Sequence, residues 1–421
     1  MKKLPFFWTL FRRRVVLFFM VFGPATIAAM ADNDASGVAT YAIAGAKLGY
    51  PVLFILGIVT VLLGVTQEMG MRLTLVTRKG LGDHIREQKG VLLAVLFFVG
   101  LFIANMGTII VNIAAFKTTA SLLHLPAIPL VVILVLVVFV FVIKGDYKLT
   151  QNIMLLSCFL YFAYIFSAFK SQPNWFEAVS NLFFPHGAVL TGEYVRNYAV
   201  IGLGVLGTTI TPWGQFFISS FAYDKKIDKA KLKYSQFETY VGAFLTDFFS
   251  FFMIVATAAT LFVNKIPLVS GEQAAMAIKP FAGNLAAMLF AIGIMNAGFM
   301  GVVVVSLSTA YTFAEFFGLS GSLDTSFKES KGFYTIFIVQ LLLASCIALL
   351  PFISLFKLAI ASQIFNAMLM PFVFYFLIKF TDSKELMGEF TNHAWQRTIA
   401  IIGSVTISIV SVVVLIFSIF F

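Results

Sequence analysis

Long apolar runs recur along the chain, separated by short stretches rich in Lys, Arg, Gly and Pro. A helix needs about 20 apolar residues to cross roughly 30 Å of hydrocarbon. By that measure the pattern predicts eleven spanning helices, at approximately 15–46, 51–77, 91–120, 126–144, 150–170, 197–222, 237–263, 282–318, 333–355, 357–380 and 395–421. Two of them are interrupted. The first carries "MADNDASGVATYAIAG", Met30 to Gly45, with Asp32, Asn33 and Asp34 in its middle. The sixth carries "GLGVLGTTITPWGQ", Gly202 to Gln215, where Gly207, Pro212 and Gly214 break an apolar run beside a string of threonines.

Each interrupted helix opens a group of five, with Asp34 and Pro212 in corresponding places. Broken helices at matching positions of two halves point to a transporter built from inverted repeats, with a midplane site made by unwound backbone. The expected organisation is a cytoplasmic N-terminus at 1–14, a first repeat at 15–170 and an extracellular connector at 171–196. A second repeat at 197–380 and an added eleventh helix at 395–421 complete it.

Composition narrows the class further. Of 421 residues 60% are hydrophobic, 50 are Phe and only 11% are charged, whereas a soluble domain carries about 25% charged residues. The chain is therefore expected to be an all-α integral membrane protein. No small-residue cleavage site follows the first apolar stretch, so the first helix is expected to stay in place. The formal charge of +10 lies in short loops beside apolar spans and reads as a topology signal, with no nucleic-acid partner implied. Segments 2–14, 72–89, 144–148, 225–233, 328–331 and 379–397 carry 22 of the 29 Lys and Arg, which predicts a cytoplasmic N-terminus and an outside C-terminus. Cys158 and Cys346 lie in apolar runs and are expected to be packing residues, outside any disulfide framework.

An ionised carboxylate in hydrocarbon costs several kcal/mol unless something offsets it, so Asp34 needs a partner. Unwound backbone beside it offers carbonyl oxygens, and with the carboxylate these form a cage suited to a hard or borderline divalent cation. Capping the second half-helix is compatible with that role. Asp32 is read as a ligand or as lining a watery approach, with Asn33 beside it. At the second break Thr208, Thr209 and Thr211 supply hydroxyls and freed carbonyls, or bond back onto their own helix. Gln363 and Asn366 in "IASQIFNAMLMP" share one helix face, where their amides serve a hydrated ion or a helix contact. Glu68, Asp247 and Glu315 are the remaining intramembrane acids, each open to a role as a paired structural charge, a gate or a proton site. His84, His124, His186 and His393 lack ligand spacing and are expected to be solvated or locally satisfied. No phosphate loop, nucleophile elbow or Cys-x-x-Cys pair occurs, so neither an enzyme nor a bound cofactor is expected.

With these breaks and this acid, the chain resembles the Nramp (natural resistance-associated macrophage protein) family of divalent metal transporters. The resemblance rests on "GPATIAAMADNDASGVATYAIAGAKLGY" in the first helix and "QEMGMRLTLVTRKGLGDHIRE" at the end of the second. "GTTITPWGQFF" in the sixth and "SQIFNAMLMPF" in the tenth complete it. It implies the leucine-transporter-type fold, with two inverted five-helix repeats and broken helices 1 and 6, and import by alternating access. It also implies a metal site at Asp34, the carbonyls of Ala31 and Thr208, Thr211 and Gln363. Asp32, Asn33, Gly37, Trp213 and Asn366 then lie around the site or along the path.

The departures carry the specificity. The family's Asp-Pro-Gly-Asn falls on Asp34, Ala35, Ser36 and Gly37, and its Met-Pro-His on Thr211, Pro212 and Trp213. A soft thioether that favours Mn²⁺, Fe²⁺ or Cd²⁺ is gone, and the space at Ala35 and Gly37 leaves room for part of a hydration shell. The chain is thus similar to the Nramp-related magnesium transporters, which implies a prokaryotic inner-membrane protein that moves Mg²⁺ and also Mn²⁺. Residues 91–145 contain no Asp or Glu and Trp213 stands where the family has its histidine, so uniport without protons is expected. The lipid bilayer is the surrounding partner, and no obligate protein partner is expected. Three alternatives remain at this point: a proton-coupled Mn²⁺/Fe²⁺ symporter, a Na⁺-coupled amino-acid carrier of the same fold, and an intramembrane aspartyl protease using Asp34 and Asp247.

Overall fold

A computed structural model describes residues 23–144, 147–157, 161–188 and 191–420. The expected N-terminal segment 1–14 and Cys158 lie outside the described residues. Among them the chain is all helical, with no strand. In order the helices are α1 (Pro24–Ala31), α2 (Ala35–Leu48), α3 (Leu53–Thr77), α4 (Leu81–Lys89), α5 (Val91–Leu122), α6 (Ala127–Lys144) and α7 (Tyr147–Ser157). Next come α8 (Phe162–Lys170), α9 (Trp175–Asn181), α10 (Gly192–Thr209), α11 (Pro212–Asp224), α12 (Leu232–Thr257) and α13 (Gly271–Met276). The last are α14 (Lys279–Ala282), α15 (Ala286–Phe317), α16 (Lys331–Ala348), α17 (Leu355–Thr381), α18 (Lys384–Met387) and α19 (Ala394–Phe420).

Eight continuous stretches among the described residues are long and apolar enough to cross a membrane. The other three expected spans are occupied by pairs of shorter helices: α1 with α2, α7 with α8, and α10 with α11. Large apolar side chains point outward along the long helices, among them Ile128, Ile133 and Leu136 on α6 and Ile402, Val405 and Ile409 on α19. A water-facing helix would place polar residues there, so this surface is built for lipid. Cys346 lies on that exposed surface of α16 rather than inside the packing expected for it.

The two broken helices run through the centre. α1 and α2 pack against α12, and α2 also lies against α10 and α17. α5 packs along α15, and α10 along α17. Gly207 allows the last of these approaches, because a Cβ there would collide with the Gln363 carbonyl of α17. α1 starts at Pro24, whose missing N–H costs nothing in a first turn. Glu238 of α12 accepts from the N–H groups of Gly23 (2.7 Å) and Thr26 (3.0 Å), so one helix caps another.

Two buried acids hold the periphery. Glu68 pairs with Arg72 one turn along α3, through Nε–Oε1 at 2.8 Å and Nη2–Oε2 at 3.1 Å. Gln236 and Gln396 each donate to Glu68 at 2.7 Å, and Arg72 donates to the Phe390 carbonyl and to Asn392, tying α3, α12 and α19 together. Glu315 on α15 accepts from Gly82 N (2.9 Å) and Ser220 Oγ (2.5 Å), capping α4 and holding it to α11. His84 on α4 is buried and meets Thr77 Oγ1 at 2.9 Å, so it is satisfied locally.

Candidate metal site

The first break spans Asp32 to Asp34. The N–H groups of Asp32, Asn33 and Asp34 reach back three residues, to the carbonyls of Ala29, Met30 and Ala31, which tightens the end of α1 before the chain turns. Asp34 then adopts an extended conformation (ψ 177°) and caps α2, its Oδ1 accepting from Gly37 N at 2.7 Å. Oδ2 accepts from Asn112 Nδ2 of α5 at 2.6 Å, while Asn112 Oδ1 accepts from Ala35 N at 2.9 Å. Asn112 thus grips both the carboxylate and the backbone beside it.

At the second break Ile210 and Thr211 are extended, and Thr211 Oγ1 caps α11 by accepting from Gly214 N at 3.0 Å. The residue four beyond Thr208 is Pro212, which has no N–H, so the Thr208 carbonyl has no donor in its own helix. Thr211 also donates to Asp32 Oδ1 at 3.4 Å, a weak link between the breaks. Gly37 is a close packing point at the breaks. A Cβ added there would clash with the Asp32 carbonyl and lie 3.2 Å from Thr208 Oγ1. The two breaks meet because this residue has no side chain.

Gln363 donates to Ser36 Oγ at 2.6 Å and Asn366 donates to Gln363 Oε1 at 2.8 Å, so these two amides reach the start of α2 in sequence. Asn366 also bonds Thr108 on α5 at 3.1 Å, and its own Oδ1 has no hydrogen-bond partner. Thr209 bonds back to Val205 and meets the Tyr41 hydroxyl at 2.7 Å. Asn33 turns away from the breaks: its amide donates to Thr246 Oγ1 (2.8 Å), its Oδ1 accepts from Ser250 (2.8 Å) and its carbonyl from Tyr161 (2.6 Å). It anchors the break on α12. Trp213 is buried in the core; its carbonyl accepts from Ser308 at 2.7 Å and its indole N–H has no partner.

Among the described residues no three His, Cys, Asp or Glu side chains converge as a ligand group. A cation at Asp34 would therefore rely on one carboxylate with carbonyl, hydroxyl and amide oxygens. A carboxylate offers about four lone-pair directions; on Asp34 the Gly37 N–H and the Asn112 amide take one on each oxygen, and the Ser36 N–H lies close by. The Met300 thioether lies 3.8 Å from the Tyr161 hydroxyl, which bonds the Asn33 carbonyl. Asp34, Thr208, Thr211 and Gln363 are each at most 2% exposed, so both breaks are sealed from solvent. A cavity of about 220 Å³ lies between α5 and α17, lined by Ala114, Lys117, Thr118, Ser354 and Leu355, toward the helix ends that follow Asn112 and precede Gln363.

Two of these partners escaped the sequence reading. Asn112 is a neutral amide in a helix distinguished in sequence by its lack of acids, and Ser36 stands in the sequence only as the replacement for the family's glycine. The available signal was Asn105 and Asn112, two amides seven residues apart on one face of an apolar helix.

Residues 25–417 match the sequence profile described as Nramp, natural resistance-associated macrophage protein-like. The chain belongs to the Nramp family. Among curated Nramp relatives, the divalent metal cation transporter MntH of Lacticaseibacillus casei is 22% identical over 403 residues, covering 89% of this chain and 84% of that protein. MntH of Yersinia pestis is 25% identical over 401 residues, with 92% of each covered. Among solved structures, a histidine-to-alanine mutant of the Eremococcus coleocola manganese transporter superposes with a TM-score of 0.80 at 21% identity, over 98% of this chain and 88% of that one. MhsT in complex with L-phenylalanine reaches 0.60 at 14% identity, over 95% and 98%. These likenesses establish the fold, a leucine-transporter-type helical bundle.

Proposed function

We propose that this Nramp protein imports divalent cations, Mg²⁺ foremost and Mn²⁺ as well, by alternating access and without proton coupling. The observation that carries the reading is the donor set. Asn112 contacts Asp34, Gln363 reaches Ser36 two residues on, and Thr208 and Thr211 of the second break stand against Gly37 and Asp32, all oxygen or amide groups. Hard donors give no preference to softer ions, and Mg²⁺ is ordinarily held by one or two carboxylates with part of its water retained. Ala31 and Thr208 supply carbonyls. The Ala31 carbonyl accepts from Asp34 N at 3.0 Å with one lone pair and keeps the other.

In this reading α1 and α11 rock against the rest of the bundle, opening the sealed site first to the outside and then to the cytoplasm. The N-terminus is cytoplasmic, the C-terminus outside, and the halves 15–170 and 197–380 are the two repeats of an inner-membrane carrier. No chemical step occurs, so the protein acts as a transporter and not as an enzyme. Entry is driven by the ion gradient and by the negative-inside potential, about 2.3 kcal/mol per charge per 100 mV and twice that for a divalent ion.

The relatives named as manganese or divalent metal cation transporters favour a second reading, a Mn²⁺ carrier, for which proton coupling is the alternative to uniport. Uptake into proteoliposomes separates them. Mg²⁺ entry without lumenal acidification supports the first reading; Mn²⁺ entry with acidification and no Mg²⁺ entry supports the second. Competition by amino acids would indicate an organic-solute carrier instead.

A further inference from the structure

Asp34 is not the only buried carboxylate without a counter-charge. Asp32 precedes it in the same break, 1% exposed, with Oδ2 free of any hydrogen-bond partner. Asp247 of α12 is 3% exposed and neither of its oxygens has a donor. The neighbouring Thr60 hydroxyl gives its one proton to the Leu56 carbonyl at 2.8 Å. Asn33 ties the two segments together: its amide holds both Thr246 Oγ1 (2.8 Å) and the Thr246 carbonyl (3.0 Å), Thr246 precedes Asp247, and Asp32 precedes Asn33. Asp32 and Asp247 repel each other, and both act on the Tyr41 hydroxyl.

No Lys or Arg is among the groups acting on Asp32, Asp34 or Asp247. Farther out, Asp247 borders a groove of about 630 Å³ whose other walls are chiefly apolar, including Phe54, Phe244, Phe248 and Phe251, so that side supplies no counter-charge either. Structural acids elsewhere in this protein look different. Glu68 has Arg72 and two glutamine donors, Glu315 has a helix N-terminus and a serine, and Asp224 accepts from Tyr311 (2.6 Å), Ser322 (2.5 Å) and Leu323 N (3.0 Å). Buried polar groups held for packing are satisfied; Asp32 Oδ2 and both Asp247 oxygens are not, and the Thr211 hydroxyl stands 3.4 Å from Asp32 Oδ1.

We infer that Asp32 and Asp247 form a second cation station, adjacent to but separate from Asp34, that takes a hydrated divalent ion of the transported class. Two carboxylates and hydroxyl oxygens are a hard donor set, and a Mg²⁺- or Mn²⁺-sized ion bound through one or two carboxylates retains water. A station beside the Asp34 site lets an arriving ion repel the one ahead of it, as in multi-site conduction. The inference rests on the reading of Asp34 as the transport site.

Mn²⁺ stoichiometry tests it, measured by equilibrium dialysis on the purified full-length protein in detergent. Wild type is expected to bind two Mn²⁺ per chain, Asp247→Asn one, Asp34→Asn one, and the double variant none. Asp32→Asn, also expected to bind one, serves if Asp247→Asn does not purify as a monodisperse protein, and the wild-type value stands without any variant. One Mn²⁺ per wild-type chain, or two in well-folded Asp247→Asn, overturns the second station. Failure of the underlying reading looks different: Asp34→Asn then transports normally whatever the stoichiometry.

Discussion

Asp34 does two jobs at once. Its carboxylate caps α2 through Gly37 N and is oriented by Asn112, so the group that would bind the ion is already fixed in direction. Asn112→Ala removes the donor to Oδ2 and the acceptor for Ala35 N, leaving buried polar groups unsatisfied at about 1–3 kcal/mol. We expect this variant to fold with a lowered thermal midpoint and to lose most Mn²⁺ uptake in vesicles; unchanged uptake would remove Asn112 from the site. Gly37→Asn restores the family's residue type, yet its Cβ would meet the Asp32 carbonyl and crowd Thr208. It is expected to impair both stability and transport rather than to create a symporter, and a stable, active Gly37→Asn protein would show that the breaks can move apart.

The residues of this site were legible to different degrees. Asp34, Thr211 and Pro212 announce themselves because a charge, a string of hydroxyls and a proline are costly in an apolar helix. Asn112 and Ser36 carry no such cost, and only the fold reveals whom they face. Asn33 looked equivalent to its aspartate neighbours, but its side chain is spent on α12.

Among elements, the long apolar helices were readable because hydrocarbon thickness sets a length that no loop imitates. Both breaks were readable for the opposite reason, since they violate that pattern. The short helices α4 and α9 were not, because nine and seven residues carry no length signal. α9 lies within the segment expected to be a plain connector, and α10 already begins at Gly192, before the expected boundary at 197. The junction of α3, α12 and α19 depends on one buried pair. Glu68→Gln leaves the Arg72 guanidinium buried without its charge partner, a loss of about 3–5 kcal/mol for breaking such a pair. A marked fall in thermal midpoint is expected, and Glu68→Gln combined with Arg72→Met should recover part of it. No change in either protein would mean that the pair contributes nothing to the junction.

At the scale of the whole molecule, the surface is lipid-facing and apolar while the centre holds carboxylates without a basic partner, groups that are neutralised by a cation or by a proton. The fold agrees with transporters that differ widely in sequence, so fold alone leaves the substrate open. In the proposed reading, specificity resides in the few side chains at the meeting of α1, α2, α10 and α11, where Thr211 and Trp213 replace the sulfur and imidazole of the family's motif.

Mg²⁺ uptake into proteoliposomes under a negative-inside potential, with lumenal pH recorded alongside, tests this account most directly when wild type is compared with Asp34→Ala. The account predicts Mg²⁺ entry without acidification in wild type and none in a well-folded Asp34→Ala protein. Acidification that tracks metal entry, or undiminished Mg²⁺ uptake in Asp34→Ala, would contradict it.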